Sequence, residues 1–453
     1  MSALQTPALL AEAPPRGAIA HWPAVSIVLL CPIAALMPVY IPSFLSACLL
    51  FLAAVRWVAS GKPMDPVLAK VLAAFAVAIA VGIVSGAGND RFVFLKDGWY
   101  FVNPVSIIAL GFVFFQCMPD IGAGLRAVVL GAGLVSSYHM LWFELHPELF
   151  DFSAARIREI AGTGYYAPVL GLVLLAATLG RWRSVLRLPG WVAAYCFLAC
   201  AAACSLSFSR TILVTLLIMA AALAGWLKSR EWRLLPIGAA AAALVFLLAN
   251  VYLQFDSGNR QERTFLGKLA SSVQEVEVED YRTEQEINQH WRGFETYRAL
   301  ETVAEGTPLQ WLIGQGFGAQ VDLGFFQALS NDPRGRLRQI PVFHNGFVYL
   351  LLKTGLVGVC AYLYALWVLY RTGRRSAQGS LKAIDVLGAR LLQGCVVSVA
   401  FSTWVISGAF NKADMFPFLL MIGFLIAGLA AGRPSLEESK AANSSSSREI
   451  ANG

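Results

Sequence analysis

Residues 343–370 read FHNGFVYLLLKTGLVGVCAYLYALWVLY. A polar opening, His344 and Asn345 after Pro341, gives way to an apolar run interrupted by Lys353 and Gly355. Asn is a favoured N-cap, so a helix is predicted to start here. At about 1.5 Å per residue, the run from Asn345 to Tyr370 is too long for one crossing of about 30 Å of hydrocarbon. A break at Gly355 or Gly358 divides it into a short interfacial helix and a span. Lys353 turns to the helix face opposite His344 and is expected to snorkel to the headgroups.

Runs of this kind fill the chain, which is 57% hydrophobic and only 14% charged, with a mean hydropathy of +0.61. About twelve spans are predicted: Ala24 to Pro38, Tyr40 to Trp57, Val67 to Ser85, Trp99 to Met118, Leu125 to Phe143, Tyr165 to Gly180, Gly190 to Ser207, Thr211 to Leu227, Leu234 to Leu253, Gly355 to Tyr370, Val386 to Ser407 and Phe416 to Ala431. The expected fold is an all-α polytopic membrane protein.

Short loops rich in Lys and Arg mark the cytoplasmic side. Arg56, Lys62, Lys70, Arg181, Arg183, Arg187, Lys228, Arg230, Arg233, Arg371, Arg374, Arg375 and Lys382 share one side, against Arg91, Lys96, Arg156, Arg158, Arg210 and Lys412 on the other. Both termini are thus expected in the cytoplasm, and the net charge of +7 is a topology signal rather than a nucleic-acid footprint. The N-terminus lacks a charged n-region and cleavage site, while the Ser-rich C-terminus is predicted to be disordered. Cys196, Cys200 and Cys204 share a helix face, but no His or acid accompanies them, so packing is expected rather than metal ligation.

The resulting organisation is a tail over 1–23, a bundle of about nine spans over 24–253, a long loop over 254–342, an interfacial helix with the last three spans over 343–431, and a second tail over 432–453. The loop is long against the usual helix connections of about 2 to 8 residues, which points to function. Within it, Glu284 to Gly306 carries Ile287, Trp291, Phe294 and Leu300 at helical spacing, giving an amphipathic helix against the membrane surface or the bundle. Gly314, Gly316 and Gly318 follow, with the wrong spacing for a dinucleotide fingerprint, so they are expected to bring a tight turn close to a partner.

Three cations on the non-cytoplasmic side stand out. Arg210 sits in SLSFSRTILV between two spans with almost no loop, and an ionisable residue at the membrane edge needs a pair, water or a function. Arg292 lies in the amphipathic loop helix, and His344 opens the interfacial one. Guanidinium groups bind phosphate oxygens bidentately and imidazole accepts a hydroxyl proton near neutral pH. The set suits a pyrophosphate leaving group and an attacking alcohol.

SFSRT, HWRGFETYRALE, LIGQGFGAQ and PVFHNGFVYLLLKTGLVGVCAYLY together resemble the O-antigen ligase and polymerase superfamily of bacterial inner-membrane glycosyltransferases. The likeness is most specific over 205–370 and strongest at the His-Asn dipeptide with the Lys-Thr-Gly-Leu-Val-Gly run behind it. It implies about twelve spans and transfer of a glycan from undecaprenyl pyrophosphate to an acceptor hydroxyl in the periplasm, with no metal or nucleotide cofactor. The acceptor is a lipid A core sugar for ligases and a second lipid-linked repeat unit for polymerases, including those of exopolysaccharide pathways. By the same resemblance His344 is the base or acceptor-orienting group, Arg210 and Arg292 hold the pyrophosphate, and displacement inverts the anomeric carbon. Glu295 is placed to orient Arg292, Asn345 to cap the helix or touch substrate, and Arg260, Arg263 and Arg298 to contact phosphates. Arg282 and Gly293 fit one of the two Arg-x10-Gly patterns of polymerases, and no second match accompanies them, which favours a ligase. A polytopic transporter is the competing class; it would place Arg210 at mid-membrane, far from His344.

Overall fold

Three aspartates show how the apolar runs become helices. The Asp65 carboxylate accepts from the Val67 and Leu68 amides at 2.7 and 3.3 Å, Asp90 from Val93 at 2.9 Å and Asp120 from Ala123 at 2.7 Å. Each fills donors that a helix start leaves open. The helices they open are α3 (Pro66–Ser85), α4 (Arg91–Gln116) and α5 (Ile121–Leu145). α4 begins two turns before the run expected from Trp99, because Arg91, Lys96 and Asp97 interrupt the hydropathy without interrupting the helix.

The computed structural model describes residues 22–38, 40–59, 61, 64–118, 120–148, 164–178, 183–207, 209–227, 287, 290–328, 336–380, 382–410 and 415–431. The remaining elements are α1 (Trp22–Leu36), α2 (Tyr40–Ala59), α6 (Tyr166–Thr178), α7 (Arg183–Leu186), α8 (Gly190–Leu206), α9 (Arg210–Ala224), α10 (Trp291–Ala304), α11 (Pro308–Ile313), α12 (Gly346–Gly379), α13 (Ala383–Ile406) and α14 (Phe416–Ala431), with strands β1 (Val321–Ala328) and β2 (Arg336–Ile340). Among the described residues six helices are long and apolar enough to cross a membrane and five more are shorter and apolar. The chain is a multi-pass membrane protein. Residues 1–21 of the N-terminal tail, the C-terminal tail, the expected span Leu234 to Leu253, and Arg156, Arg158, Arg260, Arg263 and Arg282 lie outside the described residues.

α14 lies against α4 and α13, and α12 lies between α3 and α13. Small residues let these backbones touch, as membrane helices require where lipid gives no hydrophobic drive. A Cβ on Gly423 would stand 1.8 Å from the Ile108 carbonyl, and one on Gly111 would stand 2.0 Å from that of Leu420. Cys196, Cys200 and Cys204 are buried. Two of them meet the small residues of neighbouring helices: Cys196 lies against Gly133, and Cys200 against Gly171 and Ser136.

β1 and β2 form an antiparallel pair, in register at Val321↔Ile340 and Asp322↔Gln339 and shifted before Gln327↔Leu337. This hairpin departs from the all-helical expectation. The helix expected over Glu284 to Gly306 is α10 from Trp291, and its buried Phe294 and Ala299 face α12 and β1, so it rests on the bundle.

The segment 313–319 is a strap laid into the helices. The Ser85 hydroxyl donates to the Ile313 carbonyl at 3.2 Å, the Asn89 amide donates to those of Gln315 and Phe317 at 2.9 and 2.8 Å, and the Phe317 N–H reaches Gly82 O at 2.8 Å. The Phe317 ring is fully buried between Phe94 and Phe101. Its glycines serve close approach, as expected: Gly316 has φ +87° and a Cβ there would lie 2.0 Å from the Gly86 nitrogen. Gly316→Ala combines a left-handed penalty of about 1–2 kcal/mol with overpacking of about 1–3 kcal/mol. Unfolding in detergent should show a loss of about 2–5 kcal/mol, while Gly88→Ala, with nothing within 4 Å, should match the parent. Equal stability of the two variants would remove the close approach as the reason for this glycine.

Candidate active site

α12 begins where Asn345 caps it. The Asn345 side-chain oxygen accepts from the Phe347 and Val348 amides, both at 3.2 Å. That oxygen is committed to the cap and takes up two of the amides an anion would otherwise meet at this helix end. The approach to the cap is fixed from α13: the Ser407 hydroxyl donates to Phe343 O at 2.7 Å and the Ser407 N–H donates to His344 O. Gly346 sits so close to Thr403 that a Cβ would meet its methyl at 2.8 Å.

With its backbone held, the His344 ring turns to α10. Its Nδ1 lies 2.7 Å from Glu295 Oε2, and the His344 N–H donates to the same oxygen at 3.2 Å. The Glu295 side chain is 5% exposed and that of His344 35%. A carboxylate only accepts, so in this pair Nδ1 is the donor. Sequence alone set Glu295 beside Arg292; the structure pairs its carboxylate with His344.

Arg292 is one helical turn before Glu295 on α10, which places their Cβ atoms about 5–6 Å apart on one face. Arg210 is the first residue of α9. Arg390 of α13 donates to Leu223 O, and further along α13 Gly394 meets Met219. Four residues forward on α13 thus match four residues back on α9, so the two helices are antiparallel. Continuing that register, at about 1.5 Å per residue on both helices, sets Arg210 level with Thr403 in the last turn of α13, one turn before Ser407. Arg210, Arg292, Glu295 and His344 therefore share one end of the bundle.

Arg298 is engaged within the protein. Its Nε and Nη2 donate to Asp322 O at 3.0 and 2.9 Å and its Nη1 pairs with Glu301, so it stitches α10 to β1. Asp322 in turn accepts from Arg338 Nε at 3.0 Å. The Arg338 hydrogen bond, with help from the Gly324 N–H, holds the Asp322 carboxyl below the usual aspartate range. A carboxyl lowered in the folded state contributes stability above its unfolded pKa and loses it as pH falls through the folded value. Hydrogen exchange of the β1–β2 amides should accelerate below the ordinary aspartate pKa of about 3.9, and Asp322→Asn should abolish that pH response. The pair is exposed, so the effect is confined to the hairpin.

Lys353 corrects a sequence expectation. It does not reach the headgroups: its side chain is fully buried, and Nζ donates to Asp97 Oδ2 at 2.6 Å and to Ala319 O. Tyr349 Oη donates to Asp97 Oδ1 at 2.7 Å, and the Gly318 N–H to Asp97 Oδ2 at 2.7 Å. An ammonium this deep is tolerable only when paired, and α4 supplies the partner. Asp97 drew no notice from sequence, although it is the lone acid within α4, as Lys353 is the first base of α12, eighteen residues before Arg371. Among the described residues no group of three or more His, Cys, Asp or Glu side chains is arranged to hold a metal ion.

Residues 194–363 match the family described as O-antigen ligase. None of the curated proteins matches the chain. The matched stretch begins in α8 and ends within α12, so it contains Arg210, Arg292, Glu295, His344 and the strap. Across residues 194–363, then, this membrane protein carries a domain similar to the O-antigen ligase family.

Proposed function

We propose that the protein transfers a glycan from undecaprenyl pyrophosphate to an acceptor hydroxyl on the periplasmic side of the inner membrane, with a lipid A core sugar as acceptor. About twelve spans and cytoplasmic termini accompany this reading. The observation that carries it is the Glu295–His344 pair, 2.7 Å apart at the end of the bundle to which Arg210 and Arg292 belong. The buried carboxylate fixes the imidazole tautomer, leaving Nε2 to take the acceptor's hydroxyl proton. As that proton leaves, the acceptor oxygen bonds the anomeric carbon and the bond from that carbon to the pyrophosphate oxygen breaks. Attack from the face opposite the leaving group inverts the centre. Charge collects on the departing diphosphate, where two guanidinium groups stabilise it. The level of Arg210 with the start of α12 favours transfer over transport, which would call for a cation at mid-membrane.

The test is transfer by the purified full-length protein from a lipid-linked glycan, with lipid A core and a second lipid-linked unit offered separately. Product on the core is expected. Lengthened chains on the lipid carrier would make the protein a polymerase, and transfer to neither would end the proposal.

A further inference from the structure

α12 is two helices in one. Gly355 has φ +62° and ψ −165°, and the chain resumes its helix beyond it. Such a break deprives the preceding carbonyls of their intrahelical donors, a heavy cost at membrane depth unless other groups serve them. The strap serves them: the Gln315 N–H donates to Leu352 O at 2.8 Å and the Gly316 N–H to Lys353 O at 3.2 Å. The half-helix from Gly346 to Thr354 is consequently fastened at its inner end to the strap rather than to the rest of α12.

Asp97 joins these parts to α4. One carboxylate accepts from Lys353 and Tyr349 of the half-helix and from the Gly318 amide of the strap. Lys353 then closes the ring by donating to Ala319 O. Nothing in this network reaches solvent: Asp97 and Lys353 are each 0% exposed, as is Tyr349. The other end of the same rigid rod, about 13 Å away at about 1.5 Å per residue, carries His344. We infer that Asp97 and Lys353, with Tyr349, are positioning residues that lock the half-helix and the strap to α4 and thereby set where His344 stands over the donor. This rests on the catalytic reading of His344. A lock of this kind matters because a displacement of about 1 Å at a reacting group costs about a hundredfold in rate.

A purely structural ion pair would behave differently. Breaking a buried pair from one side is damaging, whereas neutralising both partners is often tolerated. Lys353→Met alone should therefore lower the thermal midpoint and the rate together. Asp97→Asn with Lys353→Met should recover most of the midpoint, yet leave kcat down about tenfold with donor KM within about twofold. Tyr349→Phe deletes one hydrogen bond and keeps the ring, so it folds in any case; its kcat should fall about threefold to tenfold. Hydrogen exchange at the Gln315 and Gly316 amides, a readout that needs no turnover, should quicken about tenfold in Tyr349→Phe and in the double variant, and stay at the parent rate in His344→Gln. Parental kcat in Tyr349→Phe or in the double variant overturns the inference, as does unchanged exchange in both. Should His344→Gln keep full activity while exchange changes as expected, the lock stands and the assignment of His344 falls.

Discussion

His344→Gln is expected to lower kcat for glycan transfer by about a hundredfold to ten-thousandfold, the range for loss of a positioned general base. Glutamine is the informative replacement. Turned toward α10, its amide N–H donates to Glu295, whose carboxylate lies 2.7 Å from the imidazole Nδ1 in the parent, but an amide is no base to accept the acceptor's proton. Alanine would cost the same rate and also leave the nearly buried Glu295 short of a donor, a penalty of about 1–3 kcal/mol. The comparison separates chemistry from folding: the two variants should share a rate and differ in thermal midpoint. Glu295→Gln should do the reverse of a simple structural change. It lets the imidazole flip its tautomer, so kcat should drop about tenfold or more while the acceptor KM holds. Membrane insertion of all three is expected at the parent level. A His344→Gln protein that transfers at the parent rate sinks the base.

Much of this site could be seen in the chain itself, because the signals were local. Asn345 announced a helix start, Gly355 a break, the glycines near 316 a close approach, and Arg210 a charge that hydropathy did not excuse. Each depends on a few neighbouring residues and on rules that act within a turn or two. What escaped depends on partners far away in sequence. Lys353 was sent to the headgroups because, within its own run, snorkelling is the cheapest fate for an ammonium; its actual partner, Asp97, is 256 residues away. The engagement of the Glu295 carboxylate with His344, 49 residues on, was likewise beyond the reach of its own helix. The hairpin was missed for a related reason. VDLGFFQA and RLRQI alternate poorly, and the side-chain link between them is Arg338 on Asp322 rather than a two-residue turn.

Arg210→Ala should cost about a hundredfold to a thousandfold in kcat, the usual loss when one preorganised donor to a developing oxyanion is removed. The expectation follows from where the register of α9 against α13 leaves Arg210: level with Thr403, one turn before Ser407, which anchors the backbone of His344. Arg210→Lys keeps the charge and loses the planar fork that meets two phosphate oxygens at once, so it should recover only part of the rate, leaving a deficit of about tenfold. Arg292→Ala should fall in the same range from the other side of the leaving group. If both arginines act on one diphosphate, Arg210→Ala combined with Arg292→Ala will cost less than the product of the single effects, since each substitution weakens the interaction the other would lose. A product that is fully multiplicative would place them on separate groups. Steady-state rates with a saturating lipid-linked donor decide between these outcomes, and an Arg210→Ala protein that inserts normally and turns over at the parent rate would leave the diphosphate to be held by other residues.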